Sequence, residues 1–350
     1  MTTASPLVEA LRWQANGCRA LGSPFSAILL DAAADDALGP LDDLFAAWKD
    51  GDFQAHVRDA TQLRLLGALH HLVLTGAAPA LTSQYPETTP ETDAPALIAA
   101  ARAVLNSHRP AIAAFMTSPP QTNEVGRSFC LAPGFMQIAA AFGLPLSLFE
   151  IGGSAGLNLR WDRYGYVFEG QAWGDPASPV QLANGWRGPA PALHPVTVAA
   201  RAGCDQSPVD VSQDEPALRL QAYVWADQTQ RLARLRGAIA VARAVPAPLD
   251  KADAADWVAS RLAPRRGVCS VLFHSVMWQY MPDATQAAVR AAIQAAGLAA
   301  NADSPVAWLR MEPAADSEGF PMELRLTLWP DGGERLLATA HPHGAWVNWL

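Results

Sequence analysis

Cysteine is scarce and scattered. Cys18, Cys130, Cys204 and Cys269 are the only four in 350 residues, and no Cys-x-x-Cys pair occurs. That spacing suits neither a disulfide framework nor a zinc ribbon, and the expectation is buried free thiols in a reducing cytoplasm. Charge is also sparse, at 17% of residues against 50% hydrophobic, which excludes a disordered chain. The net charge of −8 argues against a broad phosphate-binding surface, and so against nucleic acid as a partner. Arg231, Arg234 and Arg243 fall near helical spacing and read as a solvated helix face. The opening MTTASPLVEALRWQ lacks a basic segment followed by an apolar one, so no secretory leader is expected. No internal repeat is present. The longest uncharged run, 128–149, has the length of a bilayer span, but Pro133, Gly134, Gly143 and Pro145 interrupt it. It reads instead as a buried helix over 133–142, a turn, and a buried strand over 146–151, with no membrane partner.

What is present falls into two parts. Residues 1–120 read as a helical region: Leu7, Leu11, Ala15 and Cys18 share a face, as do Leu65, Leu69 and Leu72 ahead of a helix-stopping Gly76. The Pro- and Thr-rich stretch 75–95 reads as a loop, and 96–115 as a further helix before the turn at Ser118-Pro119-Pro120. Over 121–350, short apolar runs at 146–151, 196–200, 269–275 and 306–311 alternate with helical patterns such as 218–243 and 285–296. That alternation predicts an α/β fold with a doubly wound parallel sheet. The close differs: 324–329, a Pro-Asp-Gly-Gly turn and 334–340 read as an antiparallel hairpin.

The chemistry concentrates in SLFEIGGSAGLNL, residues 147–159. A buried strand ends at Glu150, small residues run from Gly152 through Gly153, Ser154 and Ala155 to Gly156, and a helix start follows. Small residues let the backbone approach a ligand, and a helix N-terminus can hold an anion. Gly152-x-Ser154-x-Gly156 also fits a nucleophile elbow, in which Ser154 would attack a substrate with His274, His341 or His343 as base. A third reading is a tight turn with no ligand. The G-x-G-x-x-G register of a dinucleotide loop is missing.

The segment resembles the acid-x-Gly-x-Gly-x-Gly signature of class I methyltransferases, with Ser154 in place of the middle glycine. The resemblance implies a Rossmann-like sheet ending in a hairpin and a loop that wraps S-adenosylmethionine, with Glu150, Gly152, Gly153, Ser154 and Gly156 at the cofactor. Asp205, in Gly-Cys-Asp-Gln-Ser-Pro after the run 196–200, matches the acid that receives the ribose hydroxyls, although it is also an ordinary turn acid. It stands 55 residues after Glu150, against about 20 in compact cases, which implies an insertion over about 161–194. Asp253-Ala254 looks like the pair that faces the adenine, and equally like a helix N-cap. In SVLFHSVMWQYMP the resemblance places Ser275 at the cofactor and His274 and Tyr280 in catalysis. Trp278 would border the pocket, where an aromatic face suits a sulfonium. A His at a strand end is also commonly just hydrogen-bonded.

QTNEVGRS (121–128), EIGGSAGLNLRWDRYGY (150–166) and HPHG (341–344) together resemble a bacterial family of unknown function assigned to the methyltransferase-like superfamily. They add Asn123, Glu124, Arg127 and Asn158 as pocket candidates, with a capped, solvated loop as the plainer reading of 121–128. His341-x-His343 lacks a third ligand, so no metal is expected. The expected function is methyl transfer from S-adenosylmethionine to a small molecule, with the helical region shaping the acceptor pocket. A serine hydrolase using Ser154, or a catalytically silent binding protein on this fold, stand as alternatives.

Overall fold

A computed structural model describes residues 5–314 and 321–350. The chain divides into two compact units, Met1–Thr122 with Gln213–Arg236, and Asn123–Ser212 with Gly237–Leu350.

The first unit is helical: α1 (Pro6–Ala20), α2 (Pro24–Ala34), α3 (Phe53–Arg58), α4 (Thr61–Leu74), α5 (Pro79–Thr82), α6 (Ala94–Ser107) and α7 (Arg109–Met116). Phe25, Leu30, Leu69, Leu97 and Ile112 form its core, together with Ala222 and Tyr223 of the segment 213–236. The single helix expected over 96–115 is two helices. Pro110 lacks an N–H and crowds the preceding turn, so it sits in the first turn of a new helix rather than inside an old one. The pattern over 218–243 is likewise broken, into helices Asp214–Ala222 and Thr229–Ala244. In the break, the Asp227 carboxylate accepts the Phe25 backbone N–H at 2.9 Å and the Ser23 hydroxyl. His70 Nδ1 lies against the Ala222 and Val224 carbonyls. Burial pushes the His70 imidazole down to about 4, so it is neutral at physiological pH.

The second unit is built on a nine-stranded sheet. Helix α8 (Arg127–Phe142) leads into β1 (Leu146–Ile151), followed by a 3₁₀ helix (Leu157–Arg163). Strands β2 (Gly165–Phe168), β3 (Gln171–Gly174) and β4 (Gln181–Leu182) make a small separate sheet, before β5 (Gly185–Arg187) and β6 (Val198–Asp205). The helices Asp214–Ala222 (α9) and Thr229–Ala244 (α10) precede β7 (Leu249–Lys251), α11 (Ala254–Arg261), β8 (Cys269–Ser275), α12 (Asp283–Leu298) and β9 (Val306–Pro313). Strands β10 (Met322–Trp329), β11 (Gly333–Ala340) and β12 (Trp346–Trp349) close the chain. The order across the sheet is β5-β12-β11-β10-β9-β8-β1-β6-β7.

From β7 to β9 every pairing is parallel, whereas β9 to β12 is an antiparallel meander with β5 added parallel at its edge. All six residues of β1 and all seven of β8 are buried, as strands covered on both faces must be. Helix α8 packs closely enough on β9 that a Cβ on Gly134 would lie 2.6 Å from Leu309. No α-helix forms the first crossover. Between β1 and β6 the chain makes its 3₁₀ helix and small sheet, then lends β5 to the far edge, where Trp186 stacks on Trp349 at 5.4 Å. That excursion accounts for the 55-residue gap between Glu150 and Asp205.

All four cysteines are buried and free, and burial raises the Cys130 thiol to about 12. Among the described residues no helix is long and apolar enough to cross a membrane.

Candidate functional site

The chain leaves β1 toward β6 and β7, then returns on the other side of β1 as β8. In open α/β sheets such a reversal opens a crevice at the carboxyl ends of the strands, where ligands bind. The glycine-rich turn is at that point. Gly152, Ser154 and Gly156 have left-handed φ of 63°, 54° and 64°. Gly153 N–H donates to the Cys204 carbonyl at 3.1 Å, and Ser154 N–H donates to Asp205 Oδ2 at 2.9 Å. Asp205 Oδ1 accepts Ser207 N–H at 2.8 Å, and the Asp205 carbonyl accepts Ala252 N–H at 3.1 Å. Asp205 therefore ties together the turn after β1, the turn after β6 and the end of β7.

A cavity of about 200 Å³ opens beside this knot. Gly152, Asp205, Asp253, Ala254 and Tyr280, all singled out from the sequence, border it. So do Met277, Met281 and Thr285, which were not. Asp253 also caps α11, its Oδ1 accepting Ala255 N–H at 2.8 Å, so the capping and the pocket-lining readings hold together. Tyr280 is 78% exposed at the rim. The methionines flank Trp278 and Tyr280 in the same short string and were overshadowed there by the aromatics.

Met277 covers the turn: a Cβ on Gly152 would lie within 2.9 Å of Met277 Cβ, Cγ and Cε. Gly152→Ala should thus combine left-handed strain with an overlap against Met277, at about 2–3 kcal/mol in urea unfolding. A loss below about 0.5 kcal/mol would show that the turn relaxes freely.

Glu150, the penultimate residue of β1, is 2% exposed. Its Oε2 has no hydrogen-bond partner among the described residues. Desolvation raises its carboxyl to about 8, with Asp205 adding to the rise and Arg160 and Arg127 opposing it. Gly153 leaves room for this carboxyl, since a Cβ there would sit 3.2 Å from Oε2.

His274 is fully buried, and both ring nitrogens are engaged. The Trp308 indole N–H can only donate, so Nε2 accepts it at 3.1 Å and Nδ1 carries the proton toward Glu312 Oε1 at 2.5 Å. Glu312 also accepts the N–H groups of Met277 at 3.1 Å and Trp278 at 3.2 Å. The imidazole stacks on Trp278, with ring centroids 5.0 Å apart, and Arg290 covers Trp278 at 4.7 Å. The lone pair that a general base needs is thus taken by Trp308, and His274 acts here as a positioning residue. Glu312 escaped the sequence reading because only the β8–β9 pairing, which sets His274 opposite Arg310, brings it to the site.

The three distinctive strings meet at the start of α8. Asn123 Oδ1 accepts Leu157 N–H at 2.8 Å, and Asn158 is held by the Ser128 hydroxyl at 2.7 Å and the Glu124 carbonyl at 3.4 Å. Glu124 Oε1 accepts Gly126 N–H at 2.9 Å. Arg127 donates to the carbonyls of Pro342 at 2.8 Å and Ser275 at 3.1 Å. Gly344 lies so near Gly126 that a Cβ would fall 2.1 Å from its carbonyl oxygen. His343 N–H donates to His341 Nδ1 at 3.0 Å. Asn123, Glu124, Arg127, Asn158 and Ser275 do not border the cavity. Among the described residues no group of three His, Cys, Asp or Glu could hold a metal ion.

Neither the curated proteins nor the solved structures offer a match to this chain. The family described as "Uncharacterized protein conserved in bacteria (DUF2332)" matches residues 8–349, nearly the whole length, and the chain belongs to that family.

Proposed function

We propose that this protein is an S-adenosylmethionine-dependent methyltransferase acting on a small molecule. One observation carries the reading: Gly152 after β1, Asp205 at the end of β6 and Asp253-Ala254 after β7 border a single cavity at the reversal of the sheet. Two further features fit such a cofactor. Glu150 keeps a buried oxygen with no hydrogen-bond partner among the described residues. The Asp205 carboxylate borders the cavity, and each of its oxygens accepts one backbone N–H, which fixes it beside the turn. Gly152, Gly153 and Asp205 would hold the cofactor, with Asp253-Ala254 toward its base. When bound, the cofactor supplies an electrophilic methyl group on a sulfonium.

The chain's contribution is placement. Methyl transfer is an in-line displacement, so fixing the acceptor against the cavity supplies most of what a protein can add. Met277 and Met281 close the apolar side of the cavity, and Glu312 anchors that segment through two backbone N–H groups. The antiparallel meander after β9 agrees with the expected hairpin ending, while the helix-free first crossover departs from the family pattern. Among the described residues nothing favours the serine-hydrolase reading: Ser154 Oγ is buried and has no hydrogen-bond partner there that could act as its base.

In calorimetry the protein should bind S-adenosylhomocysteine and ignore NAD. Asp205→Ala should weaken that binding by about 1–3 kcal/mol, and Asp205→Asn, which keeps one acceptor, by less. No heat with S-adenosylhomocysteine at saturating concentration, or a tight NAD complex, overturns the reading. Binding without methyl transfer to any acceptor would leave a ligand-binding protein.

A further inference from the structure

We propose that a second cavity of the sheet-containing unit, bordered by Arg160 and Arg243, binds a small anionic metabolite through its carboxylate or phosphate group. This cavity encloses about 410 Å³. Ala155 borders it, and it shares no residue with the cavity at Gly152.

Arg160 is the reason. The residue is 5% exposed, Nε donates to the Val245 carbonyl at 3.0 Å, and Nη1 donates to the Gly156 carbonyl at 2.7 Å. Carbonyl dipoles orient the guanidinium without supplying a counter-charge. Nη2 donates to none of the described residues, and none of their carboxylates forms an ion pair with this side chain. Arg201 shows how the same unit treats an arginine that needs no ligand. Its side chain is 9% exposed, and Asp162 clasps it with two hydrogen bonds, at 2.7 and 3.0 Å. A buried cation without such a partner is costly, and burial already lowers the Arg160 pKa.

The walls suit an anion. Arg243 lines the same wall, its Nε donating to the Val211 carbonyl at 2.8 Å. Asp210, the carboxylate at the rim, has Oδ1 turned to the Ser212 N–H at 3.0 Å and hydroxyl at 2.6 Å. A guanidinium fork held by carbonyls on two of its nitrogens presents the third to a planar carboxylate or a phosphate. Ala242, Ala247 and Leu249 give the rest of the wall an apolar character that would seat a short carbon skeleton.

The test is calorimetric titration of the intact protein with sodium phosphate and with sodium succinate, at ionic strength held constant with chloride. At least one should bind saturably. Binding should weaken at least tenfold in Arg160→Met. It should weaken as much in Ala247→Trp, which fills the cavity and leaves the arginine in place. A phosphate preference assigns the site to phosphate esters, and a succinate preference to carboxylates. No saturable binding of either anion, or less than tenfold weakening in either folded variant, overturns the proposal. Should Arg160→Met fail to fold, Ala247→Trp decides alone. Neither anion probes the Gly152 cavity, so failure here leaves the cofactor reading standing, and the reverse holds too.

Discussion

Between pH 5 and pH 8.5, Glu150→Gln should gain on the wild-type protein by about 4 kcal/mol of unfolding free energy. The native carboxyl titrates near 8 against an ordinary value of 4.5. Between those values the folded protein holds a proton that the unfolded chain has released. Native proton uptake exceeds unfolded uptake, so stability falls as pH rises, and it levels off above about 8. Each pH unit across that window is worth about 1.36 kcal/mol. Glu150 is buried, so solvent screening does little to reduce the figure. The glutamine amide removes the titration and can still accept in place of the unpartnered oxygen. Urea unfolding of both proteins at the two pH values reads the difference directly, which cancels every other titrating group. A difference that stays constant across the range would mean that Glu150 ionises normally in the fold. In that case a donor reaches its carboxylate.

Glu312→Ala should destabilise the protein by about 3–5 kcal/mol, and Glu312→Gln by about 1–2. Glu312 receives the His274 Nδ1–H and the backbone N–H groups of Met277 and Trp278. Its side chain is 13% exposed and that of His274 is fully buried. Removing the carboxylate strands three donors, and the penalty for stranded buried donors exceeds the net worth of the bonds themselves. Glutamine retains one oxygen but turns an NH₂ toward donors, hence the smaller loss. A tautomer readout separates this role from generic packing. In ¹⁵N spectra of the wild-type imidazole, the proton should reside on Nδ1, fixed by Glu312 on one side and Trp308 on the other. In Glu312→Ala only the Trp308 indole favours that tautomer, so the preference should weaken, and with it the order of the Met277–Trp278 segment on the cavity wall. An alanine variant within 1 kcal/mol of wild type, with its tautomer unchanged, would show that Glu312 does not set the wall.

Strands β1 and β8 coincide with the runs read from sequence, Leu146–Ile151 and Cys269–Ser275, because burial on both faces leaves no polar alternation to blur their ends. The hairpin of β10 and β11 was legible for a related reason, a period-2 pattern around a Pro-Asp-Gly-Gly turn. Helix ends fared worse. The break between α9 and α10 is made by Asp227 bonding to Phe25 and Ser23, some two hundred residues away in sequence, which no local pattern encodes. The short strands β5, β7 and β12 were missed because three or four residues carry too little period to read, and partners across the sheet select them.

The sequence alone determined the alternation of buried strands and helices, the glycine-rich turn after Glu150, and the acids that follow later strands. Each of these is a local matter of hydrophobic period or of backbone freedom at small residues. Only the tertiary structure decided which of the named residues meet. Parallel pairing of β6 with β1 made Asp205 a brace for the turn, and pairing of β8 with β9 gave His274 its carboxylate and its indole. It also set Met277 against Gly152 and left Arg160 buried with no ion pair among the described residues. Those outcomes depend on side chains far apart in the chain being forced into one low-dielectric space, where a charge must find a partner or shift its pKa.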